Sequence, residues 1–203
     1  MPKILLIHGY GSGANYSFFK KHPADLEFSG FKTQLKRNEA VLFSWFQEEN
    51  FTFLQTINPF SHINLYLKEK FVVQNAETRK NLHKVLEEIQ PKVIVCHSLG
   101  SVLLKNFLEQ NSLPNSVQNI YLIEADIPHD TKFKTIVQIT NIYCFWDPSL
   151  WCSALINRYL PAGLFGLKSA TKNIFFPLLT HLNLHLASIK SESLAQKITE
   201  QKI

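Results

Sequence analysis

The sequence predicts an α/β chain with a mostly parallel central sheet of about six strands flanked by helices. Three observations predict it. Short apolar runs alternate with longer amphipathic stretches, which is the βα pattern. The runs are rich in Ile, Val, Leu and Phe with few charges, as strands buried on both faces are. No internal repeat or low-complexity tract interrupts the alternation. At 203 residues the chain has the length of one domain, and 1–203 is read as a single domain with a sizeable core.

The strand candidates are 3–8, 40–46, 92–96, 119–124, 141–146 and 173–176. The first holds Ile4-Leu5-Leu6-Ile7, a run too short for a signal peptide and suited to a core strand. Helices are expected between the strands. Residues 76–90 place Leu82, Val85, Leu86 and Ile89 at helical spacing, with Pro91 closing the end. Residues 101–110 carry Val102, Leu103, Leu104, Phe107 and Leu108, and 191–199 carry Leu194 and Ile198 on one face. Two less regular stretches, 47–75 and 148–172, each follow a strand. They are expected over the carboxyl edge of the sheet, where open α/β sheets bind ligands, with helices packed on the sheet accounting for much of each.

Composition excludes several classes. With 45% hydrophobic and 18% charged residues the chain is neither a disordered tail nor a collagen-like repeat nor a disulfide scaffold. No apolar run approaches the ~20 residues of a membrane-spanning helix. Cys96, Cys144 and Cys152 are odd in number and fit no zinc pattern, which points to a reducing compartment and a cytoplasmic location. The net charge of +5 is spread over many elements, the mark of a solvated surface rather than a nucleic-acid binder. It is compatible with weak attraction to anionic membrane surfaces.

The chemistry concentrates at Val93-Ile94-Val95-Cys96-His97-Ser98-Leu99-Gly100, a buried strand running through a tight polar turn into a helix. A strand that feeds sharply into a helix holds the turn residue in a strained backbone geometry and lifts its side chain above the sheet. The helix N-terminus behind Ser98 offers free N–H groups and a partial positive charge, which suit the oxyanion of a tetrahedral intermediate. A serine hydroxyl needs a base, and the base an orienting carboxylate. Asp147 follows the strand 141–146, and His181 follows the last strand after a short loop. Ser98, Asp147 and His181 therefore fall at carboxyl ends of predicted strands, on one edge. After the first strand, His8-Gly9-Tyr10-Gly11-Ser12-Gly13 lets backbone approach a ligand closely, and the N–H groups of Tyr10 and Leu99 would form a two-donor oxyanion hole.

On these residues the chain resembles the α/β-hydrolases, from first strand to last helix. His8-Gly9 resembles the family's oxyanion loop, Cys96-His97-Ser98-Leu99-Gly100 its nucleophile elbow, and Asp147 and His181 stand where its acid and base belong. The resemblance implies an α/β-hydrolase fold and a serine-hydrolase mechanism without metal or organic cofactor. Within the family the chain is most similar to small lipase-like esterases with little or no cap domain. The implied reaction is hydrolysis of a carboxylic ester or thioester, the partner being a small-molecule ester or acyl substrate. In one departure, Cys96 stands where the elbow usually opens with Gly.

Each candidate has a rival. The rival reading of Ser98, taken here as the nucleophile, is a plain helix cap, and that of Asp147, taken as the acid, is a cap before Pro148. Asp126, after the strand 119–124, is the alternative acid, and His185 the alternative base. His181 and His185 also have a metal-ligand spacing, but no third ligand or intervening Glu accompanies them. Cys96 as nucleophile is disfavoured, since it should point into the sheet. His97 is expected to pack beside the serine and His8 to shape its loop. A loose dinucleotide fingerprint, Gly9-x-Gly11-x-x-Ala14, lacks the acid expected at the end of the second strand and leaves the serine turn unexplained. The alternative function is a non-catalytic interaction protein on the same fold, with Phe43, Trp45, Phe46, Phe51 and Phe53 as a partner surface.

Overall fold

The computed structural model describes residues 3–10, 14–16, 28–46, 48–51, 58–177 and 188–200, with backbone alone for 14–16, 48–51, 59 and 188–192. The main sheet has six strands: β1 (Ile4–Ile7), β3 (Ala40–Phe43), β5 (Val93–His97), β6 (Asn119–Ile123), β7 (Gln138–Tyr143) and β8 (Lys172–Phe175). Their order is β3-β1-β5-β6-β7-β8. Every pairing is parallel, in registers such as Ile7 opposite Cys96 and His97 opposite Ile123. All six carboxyl ends therefore lie on one edge. A second, two-stranded parallel sheet pairs β2 (Ala14–Tyr16) with β4 (Glu48–Phe51), which the sequence reading did not anticipate.

The period-2 alternation of the strands divides the core into two layers. Leu5, Ile7, Ile94, Cys96, Ile120 and Leu122 face one layer. There they meet α2 (Pro59–Gln74), α3 (Ala76–Ile89) and α4 (Leu99–Leu108) through residues such as Leu65, Leu82, Leu86, Leu103 and Phe107. Ile4, Leu6, Val93, Val95, Tyr121 and Ile123 face the other. That layer is closed by Phe28 and Phe31, just ahead of the short α1 (Lys32–Lys36), and by Leu194, Ala195 and Ile198 of α7 (Ser188–Thr199).

Local signals set the helix boundaries. The Asn58 side chain accepts from the Phe60 N–H with Pro59 in the first turn, and Asn75 repeats the device for α3. Gln90 ends α3 in the left-handed region at φ 49, just before Pro91. Two strands end three residues earlier than expected. β3 stops at Phe43 because Trp45 turns away to stack on His8, ring centroids 4.7 Å apart, and donates its Nε1–H to the His8 carbonyl at 2.9 Å. β7 runs over Gln138–Tyr143 rather than 141–146. Its polar stretch Gln138-Ile139-Thr140-Asn141 hid it in the sequence; buried Asn141 is accommodated by donating to the Ala162 carbonyl and to Asn173 Oδ1, both at 3.1 Å. Asp147 consequently stands four residues beyond the strand, at the start of α5 (Pro148–Asn157), with the single turn α6 (Ala162–Phe165) following.

Candidate functional site

Ser98 sits at φ 46, ψ −118 between β5 and α4, a left-handed conformation uncommon for a non-glycine residue. Its hydroxyl makes no capping bond to α4, so the plain helix-cap reading does not describe it. Surrounding bonds hold the turn. The Ser98 N–H donates to the Ile123 carbonyl at 3.0 Å, and its carbonyl accepts from Ser101 Oγ at 2.5 Å. Ser101 Oγ in turn accepts the Asp126 N–H at 3.1 Å. Cys96 opens the turn without preventing this geometry. Its side chain lies buried in the core layer toward α4, and burial raises its thiol pKa well above the ordinary value, the opposite of what a thiolate nucleophile needs.

The first loop is pressed against this turn. A Cβ on Gly9 would lie 2.7 Å from His97 Nδ1 and 2.8 Å from the Ser98 Cβ, and one on Gly100 would lie 2.5 Å from the Ile7 carbonyl oxygen. Both positions require glycine for close backbone approach. They bring the backbone that leads to Tyr10 and the first N–H of α4, that of Leu99, to the same corner. Tyr10 is fixed from the other side by α2: its hydroxyl donates to the His62 carbonyl at 3.1 Å and lies 2.9 Å from His62 Nδ1, and its ring meets Tyr66 edge-on at 5.9 Å. His8 shapes the loop as expected, donating from Nδ1 to the Gly9 carbonyl at 3.0 Å. His97, also buried, donates from Nε2 to Glu124 Oε2 at 3.1 Å.

The two acid candidates have different surroundings. Asp147 is fully buried after β7, and its Oδ1 accepts from the N–H groups of Ser149 and Leu150 at 2.8 and 3.1 Å. It is thus a helix cap, a role that fixes the carboxyl in place. Asp126, after β6, accepts on Oδ2 from Tyr66 OH at 2.7 Å and on Oδ1 from Ser153 and Tyr159, the latter at 3.2 Å. Asn157 adds bonds to Tyr66 OH and Ser153 Oγ at 2.6 and 2.7 Å, and accepts from Lys70. Burial and the Asp126 charge push the Tyr66 and Tyr159 phenols well above their ordinary pKa. His181 and His185 lie outside the described residues.

A cleft of about 530 Å³ opens between α2 and α5, lined by Tyr10, His62, Ile63, Tyr66, Ser153 and Ile156 among others. The two stretches expected over the carboxyl edge supply its walls. The hydroxyl cluster at its base escaped the sequence reading, because Tyr66, Asp126 and the Ser153–Asn157 pair of α5 belong to no common motif and meet only through the fold. Phe43, Trp45 and Phe46 are core residues rather than a partner surface, while the Phe51 side chain and Phe53 lie outside the described residues.

No protein-family model and no curated protein matches the chain. Solved structures do. Polyneuridine aldehyde esterase is 12% identical over 98% of this chain and 100% of its own, with a TM-score of 0.50. An uncharacterized protein from Bacillus cereus is 11% identical over 99% of this chain and 60% of its own, with a TM-score of 0.51. A protein from Xanthomonas campestris ascribed to the α/β-superfamily hydrolases is 16% identical over 97% of this chain and 98% of its own, with a TM-score of 0.48. With six parallel strands in this order, a strained serine turn after β5 and helices on both faces, the chain has the α/β-hydrolase fold.

Proposed function

We propose that the protein is a serine hydrolase acting on carboxylic esters or thioesters. One observation carries this reading: the strained backbone of Ser98, its hydroxyl not spent on capping α4, with the Gly9 backbone packed against it. Strain at a turn that could have been relaxed by glycine is retained where a side chain must be presented.

In this reading His181 takes the Ser98 hydroxyl proton as the oxygen attacks the acyl carbon, with His185 as the alternative base. The N–H groups of Tyr10 and Leu99, the latter at the positive end of α4, hold the oxyanion. Collapse of the tetrahedral intermediate expels the alcohol or thiol, which receives the proton from the imidazolium. Water, deprotonated by the same imidazole, then attacks the acyl-serine, and the acid leaves with Ser98 restored. Asp147 orients the imidazole: it follows β7, it is buried, and capping already immobilises it. Asp126 is the weaker choice for that task because three hydroxyls already engage its carboxylate. The cleft beside Tyr10 accepts the acyl group.

A fluorophosphonate probe tests this directly. The folded protein should be labelled and Ser98→Ala should not. A folded protein that never reacts would support the non-catalytic interaction reading instead.

A further inference from the structure

We propose that the outer faces of α2 and α5 dock on an anionic lipid surface, with the mouth of the cleft turned toward the lipid. The inference concerns binding and does not depend on the role of Ser98. On α2, Leu65, Tyr66 and Val73 are buried, yet Phe60, Ile63, Leu67 and Phe71 form a second apolar stripe on the opposite side, Phe60 being 73% and Phe71 71% exposed. The spacing of three, four and four residues keeps this stripe on one face over roughly 16 Å of helix. Ile63 also lines the cleft, so the stripe runs along one lip. Leu155, 80% exposed, and Ile156 line the opposite lip on α5, with Trp151 one turn before Leu155 and Trp146, 67% exposed, just ahead of the helix. A helix apolar on both sides is stable in water only if something covers the outer side.

Charge indicates what covers it. Neither helix exposes an acidic residue: Glu69, the one acid on α2, is fully buried, and α5 contains none. The exposed charged side chains on the two helices and just past α5 are Lys68 and Arg158, with Lys70 half-buried against Asn157, and the whole chain carries +5. Phe and Trp among cations on a polar–apolar boundary match the headgroup region of an anionic bilayer. Docking there would let an apolar substrate enter the cleft without crossing water.

The test uses the Ser98→Ala protein, so that binding is read without any hydrolysis, and vesicles of phosphatidylcholine mixed with phosphatidylglycerol in equal parts. The protein should co-sediment with these vesicles and much less with phosphatidylcholine alone. The double substitution Phe60→Ser, Phe71→Ser should reduce partitioning at least tenfold, and Arg158→Gln about fivefold. Tryptophan emission of bound protein should shift to the blue as Trp146 leaves water, a readout that needs no surface variant and stands even if the double variant fails to fold. Equal partitioning of the parent and the double variant, binding without a blue shift, or no binding at all would overturn the proposal. So would a parent that is dimeric in solution and becomes monomeric on losing the two phenylalanines, since a second copy would then be the cover.

Discussion

A Cβ on Gly9 would lie 2.8 Å from the Cβ of Ser98. Fixed carbon atoms do not tolerate that separation, so the loop after β1 and the turn after β5 can occupy their positions only while residue 9 lacks a side chain. Gly9→Ala is expected to push the loop away from the serine. The fold should persist, because Gly9 lies at the sheet edge, while kcat/KM for a short ester falls about a hundredfold or more, the scale of losing one oxyanion donor. Steady-state kinetics beside a thermal melt separate the two effects.

The two buried aspartates are expected to respond oppositely. Asp147→Asn keeps the capping oxygen and should leave stability nearly unchanged while lowering kcat about a thousandfold or more. Asp126→Ala removes the buried acceptor shared by the Tyr66 and Ser153 hydroxyls, while Tyr159 keeps its 2.8 Å bond to the residue 126 carbonyl, and should cost about 2–4 kcal/mol of stability. Denaturant unfolding and ester hydrolysis of both variants check the assignment, and a catalytic collapse in Asp126→Asn with Asp147→Asn active would reverse it.

His181→Ala should abolish fluorophosphonate labelling, and His185→Ala should retain it. The reverse result would move the base by four positions without altering the proposed chemistry. Loss of labelling in neither variant would remove histidine from the mechanism.

Thiol reactivity follows burial. Of the three free cysteines only Cys152 is exposed, while Cys96 and Cys144 are buried. A colorimetric thiol reagent should titrate one group in the native protein and three after unfolding. Cys96→Ala should leave fluorophosphonate labelling intact; abolished labelling with an undisturbed fold would make the thiol the nucleophile.

The phenols of Tyr66 and Tyr159 are held protonated by burial and by the Asp126 carboxylate. Their folded pKa values exceed the unfolded value of 10.0, so above that pH the unfolded chain releases protons that the native chain retains. Stability should therefore fall as pH rises past 10. Absorbance titration near the phenolate band should show these two tyrosines ionising only as the protein unfolds.

Most of the frame was legible in the sequence because the strands are apolar on both faces and the helices are periodic. All six strands of the main sheet were anticipated, as were the helices ending at Pro91 and following Ser98. Boundaries were misread where a side chain overrode local pattern, as Trp45 does by stacking on His8 and Asn141 by hydrogen-bonding inside the sheet. The small sheet of β2 and β4 was missed because three- and four-residue strands leave too short a pattern to register. The Ser98 turn announced itself through strand, glycine and helix in one continuous run. The Asp126 cluster could not, since Tyr66, Asp126 and the Ser153–Asn157 pair come from segments 27 or more residues apart.

Asp126 bonds Tyr66 of α2 and Ser153 of α5 at once, and both residues line the cleft. The two walls are thus riveted at the floor, like jaws of a vice with a locked screw. Prising them apart for a branched or bicyclic guest would mean rupturing several carboxylate and amide contacts together, so the slot should admit slender chains and refuse broad ones, its gauge being set by a residue that never touches the guest.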